Sequence, residues 1–371
     1  MRSSRSILGI GLLACVFAGV AGAAALPRID FPKDSPVAFL SSDGDSTETA
    51  RGGAMVVDLH TALLLRNSTQ RRIRGITLVV TAQEITPGGK GSVTMPGMDV
   101  APNETFPVHI DLRLLRPPQA SGGVPVVVGL DGVLFDDLGF YGPDKLASRR
   151  TLTVCELEAR RDRRYFKTLL AEGGPQKVQN EIVGIVQRQT DRPGMDVQMV
   201  RGGRATNVDS ERQVQFAFLK MPDSPVEALQ GMAHVSGNEA RAPSLEVKNR
   251  SDRSVRYLEI GWILKDRAGR EFLAGSVPSD LTLGPGQHSQ VLKDTTLKFP
   301  QKPGQALSIE GMTGFVSTVE FADGSVWIPT RADLADPRLK SVMGPSPEEQ
   351  RLVQLYRRKG LNALVEELKK F

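Results

Sequence analysis

Cysteine and aromatic residues are scarce in this chain. Two cysteines occur among 371 residues, and Phe, Trp and Tyr together make up 5%. This composition gives no basis for a disulfide framework. The hydrophobic fraction of 40% is sufficient for a core, and the length is about twice that of a typical domain. We therefore expect two domains stabilised by core burial.

The sequence also lacks the short motifs that mark common catalytic and metal sites. No GxSxG, GxxxxGK or GxGxxG motif occurs, and the four histidines show no HxxxH or HExxH spacing. Asp43 and Asp45 do not extend to the ligand pattern of an EF-hand loop. Asp136 and Asp137 are adjacent, so on a strand they would point to opposite faces. The sequence predicts no catalytic residue, no metal site and no cofactor.

Cys155 is the candidate nucleophile, and its neighbours argue against reactivity. It follows apolar residues and precedes Glu156. Apolar surroundings and a nearby carboxylate both raise a thiol pKa and make the reactive thiolate rare. We interpret Cys155 as a buried structural cysteine.

One long apolar run is present, at the N-terminus. Arg2 and Arg5 precede an uncharged segment, residues 7–25, which ends in small residues. A positive start, an apolar stretch and a small-x-small site after Ala23 or Ala25 are typical of a secretory signal peptide. An uncleaved membrane anchor is the alternative. We predict export to the periplasm or the extracellular space, with no transmembrane segment left after cleavage.

Cleavage would change both the cysteine count and the charge. It would remove Cys15, so that no intrachain disulfide is possible. It would also remove two arginines and lower the formal net charge from +5 to +3. This charge is too small to indicate nucleic acid as a partner.

Four short segments recur in one order at nearly constant spacing. The matching segments are 34–37 with 223–226, 65–76 with 247–258, 101–104 with 284–287, and 169–174 with 355–360. The spacing stays between 182 and 189 residues. This regularity predicts two diverged copies of one structural unit, residues 26–190 and 220–371.

Apolar residues in both copies follow the period of a half-buried strand. The alternating positions are Ile76, Leu78, Val80 and Ala82 in the first copy and Leu258, Ile260, Trp262 and Leu264 in the second. Short strands with Pro/Gly turns favour an antiparallel sandwich. The layout resembles bacterial immunoglobulin-like or fibronectin-III-like modules in outline.

The predicted fold class is mainly β, with two tandem antiparallel immunoglobulin- or fibronectin-III-like β-sandwich units, each followed by a short helical tail. The predicted boundaries are 1–25 for the signal peptide, 26–145 for the first sandwich, 146–190 for its tail, 191–219 for a linker with one strand, 220–335 for the second sandwich and 336–371 for its tail.

The helical tails show recognisable start and stop signals. Ser346-Pro347-Glu348-Glu349 matches a capping box with proline at the first helical position. Gly360 and the corresponding Gly174 predict a break within each tail. We expect the apolar stripe of each tail to pack on its own sandwich, with a docking helix for a partner as the alternative.

Two surface features are candidate binding sites. Asp323-Gly324 predicts a two-residue hairpin loop that would pair Trp327 with Glu320 on one face. There Trp327 would be either covered by the tail or exposed as a ligand platform beside the carboxylate. The second feature is a basic patch on a predicted helix, made of Arg160, Arg161, Arg163 and Arg164. It is interpreted as a solvated face that can contact anionic envelope polymers or lipid headgroups.

These features predict an exported, non-catalytic binding or scaffolding protein of the cell envelope that acts through tandem β-sandwich units. Its expected partner is another envelope protein or polymer, contacted through strand edges or helical tails. One alternative is a carbohydrate- or peptidoglycan-binding protein that uses the Trp327 face. A second alternative is a thiol- or metal-dependent envelope enzyme.

Overall fold

The chain divides into two mainly β units, Met1–Ser148 and Arg149–Phe371, in the computed structural model. The structure describes residues 22–23, 27–84, 87–117, 126–189, 197–201, 211–300 and 308–370. Most of the predicted signal peptide, including Cys15, lies outside the described residues. Within the described part of the chain, no helix combines the length and apolar character that crossing a membrane requires.

The described residues of the first unit form nine strands in two sheets. The strands are β1 (Gly22–Ala23), β2 (Arg28–Asp30), β3 (Val37–Arg51), β4 (Ala54–Asn67), β5 (Ile73–Thr81), β6 (Lys90–Met95), β7 (Thr105–Arg116), β8 (Val127–Phe135) and β9 (Phe140–Tyr141). One sheet has the order β1-β3-β4-β7, and the other has the order β2-β8-β5-β6 with β9 paired to β8. The pairing of β2 with β8 is parallel and the others are antiparallel.

The second unit carries the helices and eleven described strands. The elements are α1 (Ser148–Gln189), β10 (Gln198–Arg201), β11 (Arg212–Gln215), β12 (Ala217–Phe218), β13 (Val226–Ser236), β14 (Glu239–Asn249), β15 (Val255–Asp266), β16 (Glu271–Leu283), β17 (His288–Val291), β18 (Thr295–Lys298), β19 (Ile309–Phe321), β20 (Val326–Trp327), a 3₁₀ turn (Asp333–Ala335), α2 (Pro337–Val342) and α3 (Pro347–Lys369). One sheet is β10-β18-β14-β13-β11 with β17 on β14, and the other is β12-β19-β15-β16 with β20 on β19.

Both units share the central arrangement of strands. β2 in the first unit and β12 in the second are short strands that run parallel to a long one, β8 or β19. The hairpins β3-β4 and β13-β14 occupy matching positions in the opposite sheets. The units differ at β7, which is one continuous strand in the first unit. The corresponding part of the second unit is divided into β17 and β18, and between them Leu292 and Asp294 have φ of 66° and 58°.

The segment 191–219, interpreted from sequence as a linker with one strand, contains three strands of the second unit. β10 pairs with β18, β11 with β13, and β12 with β19. These strands are four, four and two residues long. A run this short shows too few alternations for period-two analysis to separate a strand from a loop.

The cores consist of the residues that the strand period places inward. In the first unit Ile76, Leu78 and Val80 have no exposed surface, and Ala82 is 4% exposed. In the second unit the four alternating residues of β15, Leu258 to Leu264, are fully buried. The predicted inward faces are confirmed. Trp262 is therefore a core residue, in edge contact with Phe216 at 4.8 Å between ring centroids.

A buried asparagine closes the same turn in each unit. Asn67 Nδ2 donates to the carbonyl oxygens of Arg71, Val100 and Ala101, and its Oδ1 accepts from Thr69 N at 3.0 Å. At the end of β14, Asn249 Nδ2 donates to the carbonyl oxygens of Arg253 and Leu283, and Asn249 Oδ1 accepts from Ser251 N. Both asparagines have no exposed surface, so their amides satisfy backbone groups that water does not reach.

The two long helices of the second unit each bend at a glycine. Gly174 in α1 has φ of 65° and Gly360 in α3 has φ of 79°, both outside the helical region. α3 begins with the capping box predicted at Ser346 and Glu349. α1 is 42 residues long and thus exceeds a short tail.

The apolar stripes of these helices pack on each other. The buried cluster contains Phe166, Leu169, Val178, Ile182 and Ile185 of α1 and Leu352, Val353, Leu364 and Leu368 of α3. The expectation that each stripe packs on its own sandwich is therefore wrong. The glycine bends divide each helix into two segments, and all four segments contribute buried apolar residues to this one cluster.

Candidate functional site

The hairpin that carries Trp327 has a different register from the one expected. Glu320 pairs with Val326, and Trp327 pairs with Val319. Phe321 N donates to Ser325 O, and Gly324 has φ of 82°. The loop therefore has three residues, a turn followed by a left-handed glycine, instead of the two-residue loop predicted. This extra residue moves Trp327 away from the position opposite Glu320.

Trp327 and Glu320 both have partners within the second unit. Trp327 is half-buried against an apolar cluster that includes Ile263 and Leu339 of α2. Glu320 is 1% exposed, and it accepts hydrogen bonds from Arg150 at 3.0 Å and from Arg256. The structure does not bring Trp327 and Glu320 together as an exposed platform.

The thiol of Cys155 is poorly suited to nucleophilic attack. Burial, reinforced by the negative charge of Glu158, raises its pKa to about 11. A thiol with this pKa is almost entirely protonated at neutral pH. Among the described residues, no group of three or more His, Cys, Asp or Glu side chains could hold a metal ion.

The four arginines predicted as a surface patch lie on the first half of α1, but they do not share one environment. Arg163 is 7% exposed and forms ion pairs with Glu156 at 3.2 Å and Glu348 at 3.4 Å. It belongs to the contact between α1 and α3, and including it in a solvated face is wrong. Arg160, Arg161 and Arg164 line a groove on another side of the helix.

This arginine groove is formed by one face of α1 and by residues 328–331, which follow β20. The residues from α1 are Leu157, Arg160, Arg161, Arg164, Tyr165 and Thr168. Successive members of this set are alternately three residues and one residue apart, so they lie on one side of the helix. The second wall adds a fourth arginine, Arg331. The volume is about 500 Å³, and no described residue that lines the groove is acidic.

Asp162 lies beneath the groove and holds two of its arginines. It has no exposed surface. It accepts hydrogen bonds from Arg161 Nε at 3.1 Å and Ser346 Oγ at 2.6 Å, and Arg331 Nη1 lies 3.6 Å from Oδ1. Arg331 also pairs with Glu349, and its guanidinium lies 4.2 Å from the centre of the Tyr165 ring. Burial lowers the pKa of Arg331, but Glu349 and Asp162 outweigh it and the pKa is raised.

The charges of the groove are arranged with cations outward and carboxylates inward. Glu156, the partner of Arg160, is 1% exposed, whereas the Arg160 side chain is 33% exposed. Arg161 also donates from Nη1 to the Pro329 carbonyl at 3.0 Å, which joins the two walls. Arg164 is exposed and forms no ion pair with another described residue. An anion entering the groove therefore meets guanidinium groups before it meets a carboxylate.

A second cavity of about 290 Å³ shares Arg161, Tyr165 and Arg331 with the arginine groove. Its lining includes Glu158, whose pKa is raised by burial and by nearby carboxylates against the opposing effect of Arg161. Charges of both signs line this cavity, unlike the groove.

Tyr165 and Thr168 line the groove but were not predicted as site residues. Their helical spacing from the arginines could have indicated that they share a face with them. Once α1 is assumed, positions 157, 161, 164, 165 and 168 fall on one face with Arg160. No comparable signal exists for Arg331, which is 167 residues from Arg164 in the chain. The tertiary fold alone brings it to the groove.

Comparison with known proteins assigns no family. No family model and no curated protein sequence matches the chain. Among solved structures, the chain is similar to one described as the CBM32-1, CBM32-2 and M60 catalytic domains from Clostridium perfringens ZmpB, at 8% identity and a TM-score of 0.12. The match covers 87% of this chain and 38% of that one. A similarity this low carries no argument about function.

Proposed function

We propose that this chain is an exported, non-catalytic binding or scaffolding protein of the cell envelope that holds an anionic partner in the arginine groove. The observation that carries the proposal is that four arginines line one groove, with no acidic residue among the described residues of the lining. Coulomb attraction between unit charges 4 Å apart is about 4 kcal/mol at the effective dielectric constant near a protein surface. Arg164, which has no ion pair with a described residue, contributes this attraction reduced only by solvent and salt, whereas the carboxylates paired with the other three arginines offset part of theirs.

The matching strand orders support a tandem scaffold made by duplication of one unit. Equivalent asparagines, Asn67 and Asn249, close equivalent turns. In both turns the asparagine side chain donates to the carbonyl oxygen of the residue four positions later in the chain. Equivalent glycines, Gly174 and Gly360, bend the two long helices. In this proposal the sandwiches supply a rigid support, and the helices that follow them supply the binding surface.

The alternatives have less support. Carbohydrate binding at the Trp327 face requires an exposed ring, and Trp327 is half-buried. A thiol enzyme requires a thiolate at Cys155, and its pKa is raised to about 11.

Retention on isolated cell envelopes tests the proposed function. The full chain is compared with the double variant Arg160→Gln/Arg164→Gln and with the matched control Arg357→Gln/Arg358→Gln, which removes two exposed charges from α3. We expect the groove variant to lose most of its retention and the control to keep it. Retention of the unmodified protein should fall as salt is raised from 0.05 to about 0.5 M, because the attraction is electrostatic. Equal retention of both variants contradicts the proposal.

A further inference from the structure

The arginine groove offers more hydrogen-bond donors than a carboxylate can use. A guanidinium carries five N–H groups. Among the described residues, Arg161 uses Nε for Asp162 and Nη1 for Pro329, which leaves Nη2 for a ligand. Arg164 adds a guanidinium without an ion pair to any described residue. A phosphate monoester has three non-bridging acceptor oxygens, whereas a carboxylate has two.

Two of the four guanidinium groups, those of Arg161 and Arg331, are held in place before a ligand arrives. Asp162 and Glu349 fix Arg161 and Arg331 from the buried side, and the Tyr165 ring lies against Arg331. A preorganised arginine loses less side-chain entropy on binding than a mobile one. The fixed planar forks favour the bidentate contacts that arginine makes with phosphate oxygens.

The walls of the groove are suited to a group larger than a free ion. Leu157 and Ile328 provide apolar surface, and the exposed Thr168 provides a hydroxyl donor. A volume of about 500 Å³ lies within the range typical of small-molecule sites. Apolar surface beside guanidinium groups is suited to an organic phosphate, because the phosphate can contact the arginines while the carbon skeleton contacts the apolar side chains.

Resting on the proposed function, we infer that the arginine groove recognises a phosphate monoester, carried either by a soluble phosphate compound or by a phospholipid headgroup. Arg160 and Arg164 are its most exposed ligands, and Arg161 and Arg331 are the preorganised ones. The three arginines on α1 lie within two helical turns, and Arg331 faces them from the second wall.

Calorimetric titration of the full chain with inorganic phosphate tests the inference at constant ionic strength. We expect binding that weakens at least tenfold in Arg160→Gln/Arg164→Gln and stays unchanged in Arg357→Gln/Arg358→Gln. Binding should be tighter at pH 7.5 than at pH 5.5, because phosphate loses its second proton and gains a second negative charge between these two values. Acetate and polyglutamate should bind at least tenfold more weakly than phosphate.

Vesicles separate the two sources of the phosphate group. Groove-dependent binding to phosphatidic acid vesicles, but not to phosphatidylglycerol or phosphatidylcholine vesicles, identifies a lipid headgroup. Phosphate binding without vesicle binding identifies a soluble phosphate. If polyglutamate binds as tightly as phosphate and depends on the groove, the phosphate inference fails while the proposed function stands. If no anion binds and the groove variant is retained on envelopes as well as the unmodified protein, the proposed function and the phosphate inference both fail.

Discussion

The carboxylate of Asp162 accepts a hydrogen bond of 2.6 Å from the Ser346 hydroxyl, and this contact joins the first half of α1 to the N-terminus of α3. The same hydroxyl accepts from Glu349 N within the capping box. One buried carboxylate therefore connects the start of a helix with the arginines that line the groove. The stability of the helical core and the geometry of the groove depend on the same residue.

Replacement of Asp162 by Asn should destabilise the second unit by about 3 kcal/mol, because it leaves Arg161 without its buried counter-charge and Arg331 with Glu349 alone. Urea unfolding followed by tryptophan fluorescence measures the change, since both tryptophans, Trp262 and Trp327, belong to this unit. Asp252→Asn, at an exposed position, is the control and should change stability by no more than about 0.5 kcal/mol. An Asp162→Asn protein as stable as the control contradicts the anchoring role.

Replacement of Asn249 by Ala should destabilise the second unit by about 3 kcal/mol. The substitution leaves the carbonyl oxygens of Arg253 and Leu283 and the Ser251 N–H without their buried partner. Asn67→Ala should have a similar cost in the first unit, measured by circular dichroism, and leave the fluorescence transition unchanged. The exposed Asn180 provides a neutral Asn→Ala control on α1. A fluorescence midpoint that shifts equally in both variants argues against separate cores.

Two glycine substitutions in the long helices should have opposite effects. Gly360→Ala forces a side chain into φ of 79° and should destabilise the second unit by about 1 kcal/mol or more. Gly184 is also in a helix, but it has no positive φ and no atom within 4 Å of an added Cβ. Gly184→Ala should therefore stabilise the unit by up to about 1 kcal/mol. Thermal unfolding of both variants provides the comparison, and equal shifts rule out the backbone explanation.

Cys155 should react slowly with iodoacetamide in the folded protein. Its pKa of about 11 lies well above the value of about 8.5 for a free thiol, so the thiolate is depleted on the order of a hundredfold at pH 7.5. The rate should rise with pH up to about 11 and should increase on unfolding in urea. A folded-state rate at pH 7.5 equal to the unfolded rate contradicts the effect of burial.

Local sequence rules predict those parts of the fold that depend on nearby residues. The capping box at Ser346 and the buried faces of β5 and β15 follow from periods of two to four residues. The hairpin at Asp323 shows the limit of such rules, because a three-residue loop shifts the predicted pairing of Trp327 by one position. Asp-Gly fits both a two-residue loop and a three-residue loop with glycine in the left-handed region, so the turn residues alone do not choose between them.

The sequence by itself determined which residues alternate between core and surface, where α3 begins and where basic residues accumulate on α1. Tertiary structure decided which of those arginines are buried, because Arg163 and Arg164 are neighbours in the chain but lie on different sides of the helix. It also decided that Arg331 joins the groove and that α1 packs with α3. Periodicity is fixed by local backbone geometry, whereas ion pairs and shared cores require residues more than 150 positions apart to meet.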